Sequence, residues 1–143
     1  MSQDHVASIV SKEVGVRVLL FDEHPVFRTG LTGFLASESK LQVVAETSSA
    51  ATVMRILATE PVDVLLIDFC LGTGRGTDFI RQVRKRYPRV RVLVMTMFDE
   101  PDQLASAMRA GAHGSITKTQ SPRNWVQMIC QVVPAQNRFA VAR

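Results

Sequence analysis

The sequence predicts an α/β protein with a doubly wound, five-stranded parallel sheet and helices on both faces. Short apolar runs alternate five times with segments whose apolar residues recur at helical spacing. The run at 62–67 is almost entirely apolar, as expected for a strand buried on both faces. Proline or glycine stands at several junctions between these segments, where such residues begin or end helices.

The first two strand–helix units occupy the first part of the chain. Residues 16–21 form the first predicted strand, and Pro25 fits the first turn of the helix that follows, because a missing N–H costs nothing there. Residues 41–45 are the second predicted strand. The helix after it is expected to end before Pro61.

The remaining three units complete the alternation. The third and fourth strands are predicted at 62–67 and 90–96, with a glycine-rich loop and a helix between them. Gly111 is expected to end the fourth helix. A weak fifth strand at 115–117 precedes a helix that starts near Pro122.

Length and composition favour one globular domain. The chain has 143 residues, of which 46% are apolar. Residues 1–15 are predicted to be a flexible leader, 16–133 the domain, and 134–143 a linker or frayed C-terminus. No run approaches the length of a membrane span, and Cys70 and Cys130 are too few for a disulfide framework, so we expect a cytoplasmic protein.

Polar residues stand where the predicted strands end. Asp22 and Glu23 follow the first strand, and Asp68 follows the third. Thr96 ends the fourth strand, and Lys118 follows the fifth. A flavodoxin-like strand order, 2-1-3-4-5, would bring these residues to one crevice, since the carboxyl ends of parallel strands meet at one edge of the sheet.

This set of side chains indicates a phosphoryl-acceptor site. Three carboxylates in one cleft repel each other and need a compensating cation, and their hard oxygen atoms suit Mg²⁺. Lys118 can pair with a carboxylate or hold a phosphate, and Thr96 supplies a hydroxyl donor. Alternatively, these residues have purely structural roles, in which Asp22 caps the first helix and Lys118 pairs with Asp68. That alternative leaves Glu23 and Thr96 unexplained.

Four segments in the expected order carry a resemblance to a known family. They read LLFDEHPVFRTGL, VDVLLIDFCLG, VRVLVMTMFDE and AGAHGSITK. Over about 16–133 the chain resembles the CheY-like receiver domain of bacterial two-component response regulators. The resemblance is closest to the LuxR/NarL-type subfamily of transcription regulators, which carries a helix-turn-helix output domain further along the chain.

The resemblance implies a role for each residue of the crevice. Asp68 would accept a phosphoryl group from a histidine kinase or phosphotransfer protein. Mg²⁺ or Mn²⁺ would be held by Asp22, Glu23, Asp68 and the backbone carbonyl of Cys70, with Glu23 the more direct ligand of the acid pair. Thr96 would be the switch hydroxyl, and Lys118 would contact the phosphoryl group.

The family also bears on partners and activity. Such a domain is a signalling module rather than an enzyme, with at most slow loss of its own phosphoryl group, and homodimers would be in keeping with the family. We expect no specific DNA binding by these residues, because no helix-turn-helix follows position 133. DNA binding would belong to an output domain absent from the sequence, unless the chain is a natural single-domain receiver.

Two departures from the family pattern leave an alternative open. Ser115 stands where an aromatic switch residue is usual, and Met97 stands where a small residue is usual. Both would suit a degenerate receiver that takes no phosphate and serves as a dimerisation or protein-interaction module. A nucleotide- or flavin-binding protein of the same topology is a further alternative, but Asp22 and Glu23 would repel phosphate in the loop where such a protein binds it.

The net charge of +4 comes partly from one basic stretch with a single acid, Asp78. It could form a docking face for an acidic partner or nucleic acid. A solvated helix face is the favoured interpretation, because no aromatic residues alternate with the charges as a single-strand binder would need. The basic residues are Arg75, Arg81, Arg84, Lys85, Arg86, Arg89 and Arg91.

Overall fold

The computed structural model describes residues 15–69, 76–98 and 100–134. Within these ranges, five strands and five helices follow one another in strict alternation. The strands are β1 Val16–Phe21, β2 Leu41–Thr47, β3 Val64–Asp68, β4 Arg91–Thr96 and β5 Gly114–Thr117. The helices are α1 Pro25–Ala36, α2 Ala50–Thr59, α3 Gly76–Arg86, α4 Pro101–Ala110 and α5 Pro122–Val132.

The five strands form one parallel sheet in the order β2-β1-β3-β4-β5. The central strand β3 pairs with β1 through Val18↔Val64 and with β4 through Leu66↔Leu93. This confirms the predicted fold class and strand order. All five residues of β3 are buried, which explains why its sequence is apolar until Asp68.

A separate hydrophobic core covers each face of the sheet. On one face, Leu35 of α1 and Ile129 of α5 pack over β-strand residues that include Leu66. On the other face, α2, α3 and α4 cover the sheet, with Ile80 of α3 packed near Leu65. Successive residues of β3 therefore point to opposite cores, as the alternation of side chains along a strand requires.

Helix ends follow the local sequence signals. Pro25, Pro101 and Pro122 stand at the first turns of α1, α4 and α5. Ser49 caps α2 by accepting a hydrogen bond from the amide of Thr52 at 3.2 Å. Gly111 ends α4 with a φ of 117°, a conformation that residues with a Cβ rarely adopt.

Strand boundaries differ from the prediction by up to two residues. β2 continues to Thr47, whose carbonyl accepts a hydrogen bond from the amide of Asp22 at 3.1 Å. β3 begins at Val64 rather than at 62, because the carboxylate of Asp63 binds the backbone amide and the guanidinium of Arg17. The strand also extends by one residue to include Asp68.

Two other expectations have different outcomes. Helical spacing places Met108 in the predicted core, but its side chain is 47% exposed, so that prediction is wrong. Buried positions of α4 are instead taken by Ala107 and Ala110. The predicted leader and C-terminal tail, and residues 70–75 of the glycine-rich loop, lie almost wholly outside the described residues. No helix in the described ranges is long and apolar enough to cross a membrane.

Candidate functional site

Asp22 is held rigidly just beyond the end of β1. Its side chain is fully buried. Its backbone amide donates to the carbonyl of Thr47, and its own carbonyl accepts a hydrogen bond from Arg28 Nη1 at 2.8 Å. Arg28 also forms an ion pair with Glu46 of β2. These contacts fix the Asp22 backbone between β2 and α1, so its carboxylate has a defined position at the edge of the sheet.

Asp68 is the last residue of β3, and only 1% of its side chain is exposed. The strand pairing continues one residue past it, because the amide of Phe69 donates to the carbonyl of Met95 at 3.0 Å. The Asp68 carboxylate therefore projects from a paired segment of backbone at the carboxyl edge of the sheet. Burial of a carboxylate is costly unless cations or hydrogen-bond donors face it.

Lys118 brings a positive charge to both carboxylates. Its Nζ lies 2.8 Å from Asp22 Oδ2 and 3.3 Å from Asp68 Oδ2. Only 5% of the lysine side chain is exposed. The ammonium also lies 4.3 Å from the centroid of the Phe27 ring, at the distance of a cation–π contact. The lysine thus joins the ends of β1, β3 and β5 to the first turn of α1.

Thr96 ends β4, and only 2% of it is exposed. Its carbonyl accepts a hydrogen bond from the amide of Lys118 at 2.7 Å. Its hydroxyl has no hydrogen-bond partner within the described part of the chain. A buried hydroxyl without a partner costs about 1–3 kcal/mol, so this group can bond readily to an acceptor that enters the crevice.

The structure separates Glu23 from the two aspartates and places His24 beside them. Glu23 is exposed, and the group of potential metal ligands in the described residues consists of Asp22, His24 and Asp68. His24 is the N-cap residue of α1, but its side chain makes no capping hydrogen bond. Its Nδ1 instead lies 3.0 Å from Asp22 Oδ1 and 3.0 Å from Asp68 Oδ2.

His24 is a residue of the candidate site that the sequence favours as a turn or cap residue rather than as a ligand. A lone histidine before a proline is usually a turn or cap residue, and that description fits its backbone here. The signal that could have identified it is its position two residues after Asp22 in the same strand-to-helix turn. The backbone carbonyl of Cys70, the remaining predicted ligand, lies outside the described residues.

The donor set fits a hard divalent cation. Two buried carboxylates share a single ammonium in a confined space, and the His24 ring lies beside them. Carboxylate oxygens are the ligands that Mg²⁺ prefers, and Mg²⁺ is usually bound by one or two carboxylates with water in its remaining positions. The crevice therefore combines a buried carboxylate, an ammonium, an available hydroxyl and a place for a cation.

Comparison with known proteins agrees with the fold. The chain matches the family model of the response regulator receiver domain over residues 18–130. The chain therefore belongs to the receiver-domain family of response regulators. It is similar to the DNA-binding transcriptional activator DevR/DosR of Mycobacterium tuberculosis, with 36% identity over 104 residues, which is 72% of this chain and 48% of that protein.

Further relatives are regulators of the same kind. The transcriptional regulatory protein SgaR of Hyphomicrobium methylovorum is 29% identical over 127 residues, which cover 89% of this chain and 59% of the relative. Among solved structures, the receiver domain of a NarL response regulator from Mycobacterium tuberculosis superposes with a TM-score of 0.76 at 28% identity, over 82% of this chain and 95% of that one. The chain spans about half the length of the curated relatives it matches.

Proposed function

We propose that this receiver domain accepts a phosphoryl group on Asp68 in a Mg²⁺-dependent reaction, with a histidine kinase or phosphotransfer protein as the donor. The observation that carries the proposal is the pairing of a buried Asp68 with Lys118 at 3.3 Å, beside the second buried carboxylate of Asp22. A structural ion pair would need one carboxylate, whereas two share this ammonium.

Each described residue has a defined task in this reaction. An oxygen of Asp68 would form the new bond to phosphorus as the bond from phosphorus to the donor's nitrogen breaks. Lys118 would move from the carboxylates to the phosphoryl oxygens, which carry the same kind of charge. The hydroxyl of Thr96, which has no hydrogen-bond partner among the described residues, would donate a hydrogen bond to one of those oxygens.

A cation completes the charge balance of the crevice. Asp22 and Asp68 would hold Mg²⁺ or Mn²⁺, with Glu23 and the carbonyl of Cys70 as the further ligands that the family resemblance implies. The bound ion would neutralise negative charge as the phosphoryl group approaches the carboxylates. After this transfer, the chain itself would lose the phosphoryl group only by slow hydrolysis.

The consequence of phosphorylation would be a change in protein contacts. The added charge would favour one of two conformations of the domain, which Thr96 would report to the surface formed by β5 and its neighbouring helices. DevR/DosR is a DNA-binding activator of about twice the matched length. By analogy, we propose that the domain acts in the bacterial cytoplasm, controls a DNA-binding output domain beyond this sequence, and does not bind a specific DNA site itself.

The direct test is the intact mass of the protein after incubation with acetyl phosphate, with and without Mg²⁺. We expect a gain of one phosphoryl group that requires Mg²⁺ and disappears in Asp68→Asn. Asp102→Asn is the matched control, because Asp102 is an exposed aspartate in the first turn of α4. The control should be modified to the same extent as the unaltered protein.

A second candidate function is a receiver that never takes phosphate and serves only as an interaction module. Ser115 favours it, because this half-buried residue of β5 lacks the aromatic ring that usually changes position on activation. Absence of phosphorylation by both acetyl phosphate and a set of histidine kinases would support this function over the first.

A further inference from the structure

The His24 side chain lies against the two buried carboxylates rather than over the end of its helix. Its Nδ1 is 3.0 Å from Asp22 Oδ1 and 3.0 Å from Asp68 Oδ2. Nδ1 carries one hydrogen at most, so it cannot make a full-strength hydrogen bond to both of these oxygens at once. A cation between the three atoms would interact favourably with all of them.

The separations match the ligand spacing of a metal centre. Metal–nitrogen and metal–oxygen bonds of about 2.1 Å at right angles place neighbouring ligand atoms about 3.0 Å apart. The distances from Nδ1 to both carboxylate oxygens have this value, and all three atoms lie within 4.8 Å of one another. A cation held by one atom from each of these three residues would leave its remaining positions for water or a phosphoryl oxygen.

The backbone at His24 is restrained on both sides, whereas 58% of its side chain is exposed. The amide of His24 donates to Asp22 Oδ1 at 2.6 Å, and Pro25 restricts the chain immediately after it. His24 has an extended backbone, with φ −95° and ψ 104°. A site that is already ordered before binding loses less conformational entropy when a ligand arrives.

The nitrogen donor changes which cations the site should prefer. Mg²⁺ selects oxygen ligands, whereas imidazole suits Ni²⁺, Zn²⁺ and Cu²⁺, and affinities for a mixed nitrogen and oxygen site rise from Mn²⁺ to Cu²⁺. We propose that His24 is a metal ligand and that the crevice binds imidazole-preferring transition-metal dications, exemplified by Ni²⁺, more tightly than Mg²⁺. This inference rests on the cation site of the proposed function but not on phosphoryl transfer.

Displacement of Lys118 by a bound metal ion should change the fluorescence of Trp125. Its Nζ lies 3.4 Å from His24 Nδ1, so a bound dication would repel the ammonium. The ammonium contacts the Phe27 ring, and that ring lies 6.2 Å from the ring of Trp125. Trp125 is the single tryptophan of the chain, so its fluorescence should change when any dication displaces the lysine.

The test compares Ni²⁺ and Mg²⁺ affinities of the untagged full chain by calorimetry and Trp125 fluorescence. His24→Asn is the informative variant, because it puts an amide oxygen near the position of Nδ1 and remains a good N-cap. We expect Ni²⁺ to bind the unaltered protein at least about tenfold more tightly than Mg²⁺. The variant should lose at least about tenfold in Ni²⁺ affinity, and the loss in Mg²⁺ affinity should be several-fold smaller, because Mg²⁺ gains less from a nitrogen ligand.

Two further measurements make the outcome specific. His5→Gln, which alters a histidine outside the described residues, should leave Ni²⁺ binding unchanged. With Ni²⁺ bound, a strongly shifted imidazole N–H proton should appear in the NMR spectrum and be absent from His24→Asn. Equal Ni²⁺ affinity of His24→Asn and the unaltered protein would overturn the inference.

The two proposals fail separately. Mg²⁺-dependent phosphorylation of Asp68 together with Ni²⁺ binding that ignores His24 would refute the metal preference alone. Ni²⁺ binding that depends on His24, in a protein that no donor phosphorylates, would refute phosphoryl transfer alone. An unaltered circular dichroism spectrum and a cooperative urea transition of His24→Asn serve as the control for correct folding.

Discussion

The half-buried His113, between α4 and β5, should make the stability of the domain depend on pH in a way that one substitution removes. The amide of Val92 donates to His113 Nδ1 at 3.0 Å, and the amide of His113 donates to the carbonyl of Val92 at 2.7 Å. The first bond requires an unprotonated Nδ1. Burial, with Arg84 and Arg91 nearby, lowers the pKa of His113 from 6.5 to about 4.

The domain should become less stable as the pH falls, because the unfolded chain binds a proton at His113 more readily than the folded domain does. Between the unfolded pKa of 6.5 and the folded pKa of about 4, the unfolded chain is protonated at His113 and the folded domain is not. Stability from this residue is therefore complete above pH 6.5 and is lost as the pH falls towards 4. Between pH 7.5 and pH 5.0, a pKa difference of this size would lower the free energy of unfolding by about 2 kcal/mol. Solvent screening at a half-buried site reduces the expected loss to about 1 kcal/mol.

His113→Asn is the matching perturbation, because its amide oxygen can accept the bond from Val92 and does not titrate. Urea unfolding of both proteins at pH 7.5 and 5.0, followed by circular dichroism, gives four free energies of unfolding. Other titrating groups are common to both proteins and cancel in the difference. The unaltered protein should lose about 1 kcal/mol more than the variant on acidification. Identical pH dependence of the two would refute this reasoning.

Two further predictions concern stability and use matched controls. Gly111→Ala should lower the free energy of unfolding by at least about 1–2 kcal/mol, because φ is 117° and a Cβ would lie 2.7 Å from Arg84 Cγ. The control is Gly30→Ala in α1, where a Cβ meets no atom within 4 Å; this substitution should raise the free energy of unfolding by about 0.5–1 kcal/mol. Equal effects of the two substitutions in urea unfolding would contradict this prediction. Asp63→Asn should cost about 1.5–3 kcal/mol, since its buried carboxylate binds both the amide and the guanidinium of one arginine. The exposed ion pair of Asp78 should contribute less than about 0.5 kcal/mol, so a similar loss in Asp78→Asn would count against the role of burial.

Much of the fold could be predicted because periodicity and burial act on neighbouring residues. The apolar run that becomes β3 and the glycine that ends α4 are local signals, and both were interpreted correctly. The predicted burial of Met108 is wrong because helical spacing shows which residues share a face of the helix but not which of them lie at the margin of the buried face. In α4 the small side chains of Ala107 and Ala110 face the sheet, and the longer methionine is left at the margin.

The candidate site could also be predicted only in part from the sequence. The amino-acid sequence by itself determined which residues end the strands, since each interrupts an apolar run, and the strand order then assembles Asp22, Asp68, Thr96 and Lys118 at one edge. Only the tertiary structure decided that Lys118 contacts both aspartates and that His24 turns towards them while Glu23 remains exposed. Side-chain direction at a strand-to-helix turn depends on contacts with segments distant in sequence, here the end of β3, so local spacing alone does not determine it.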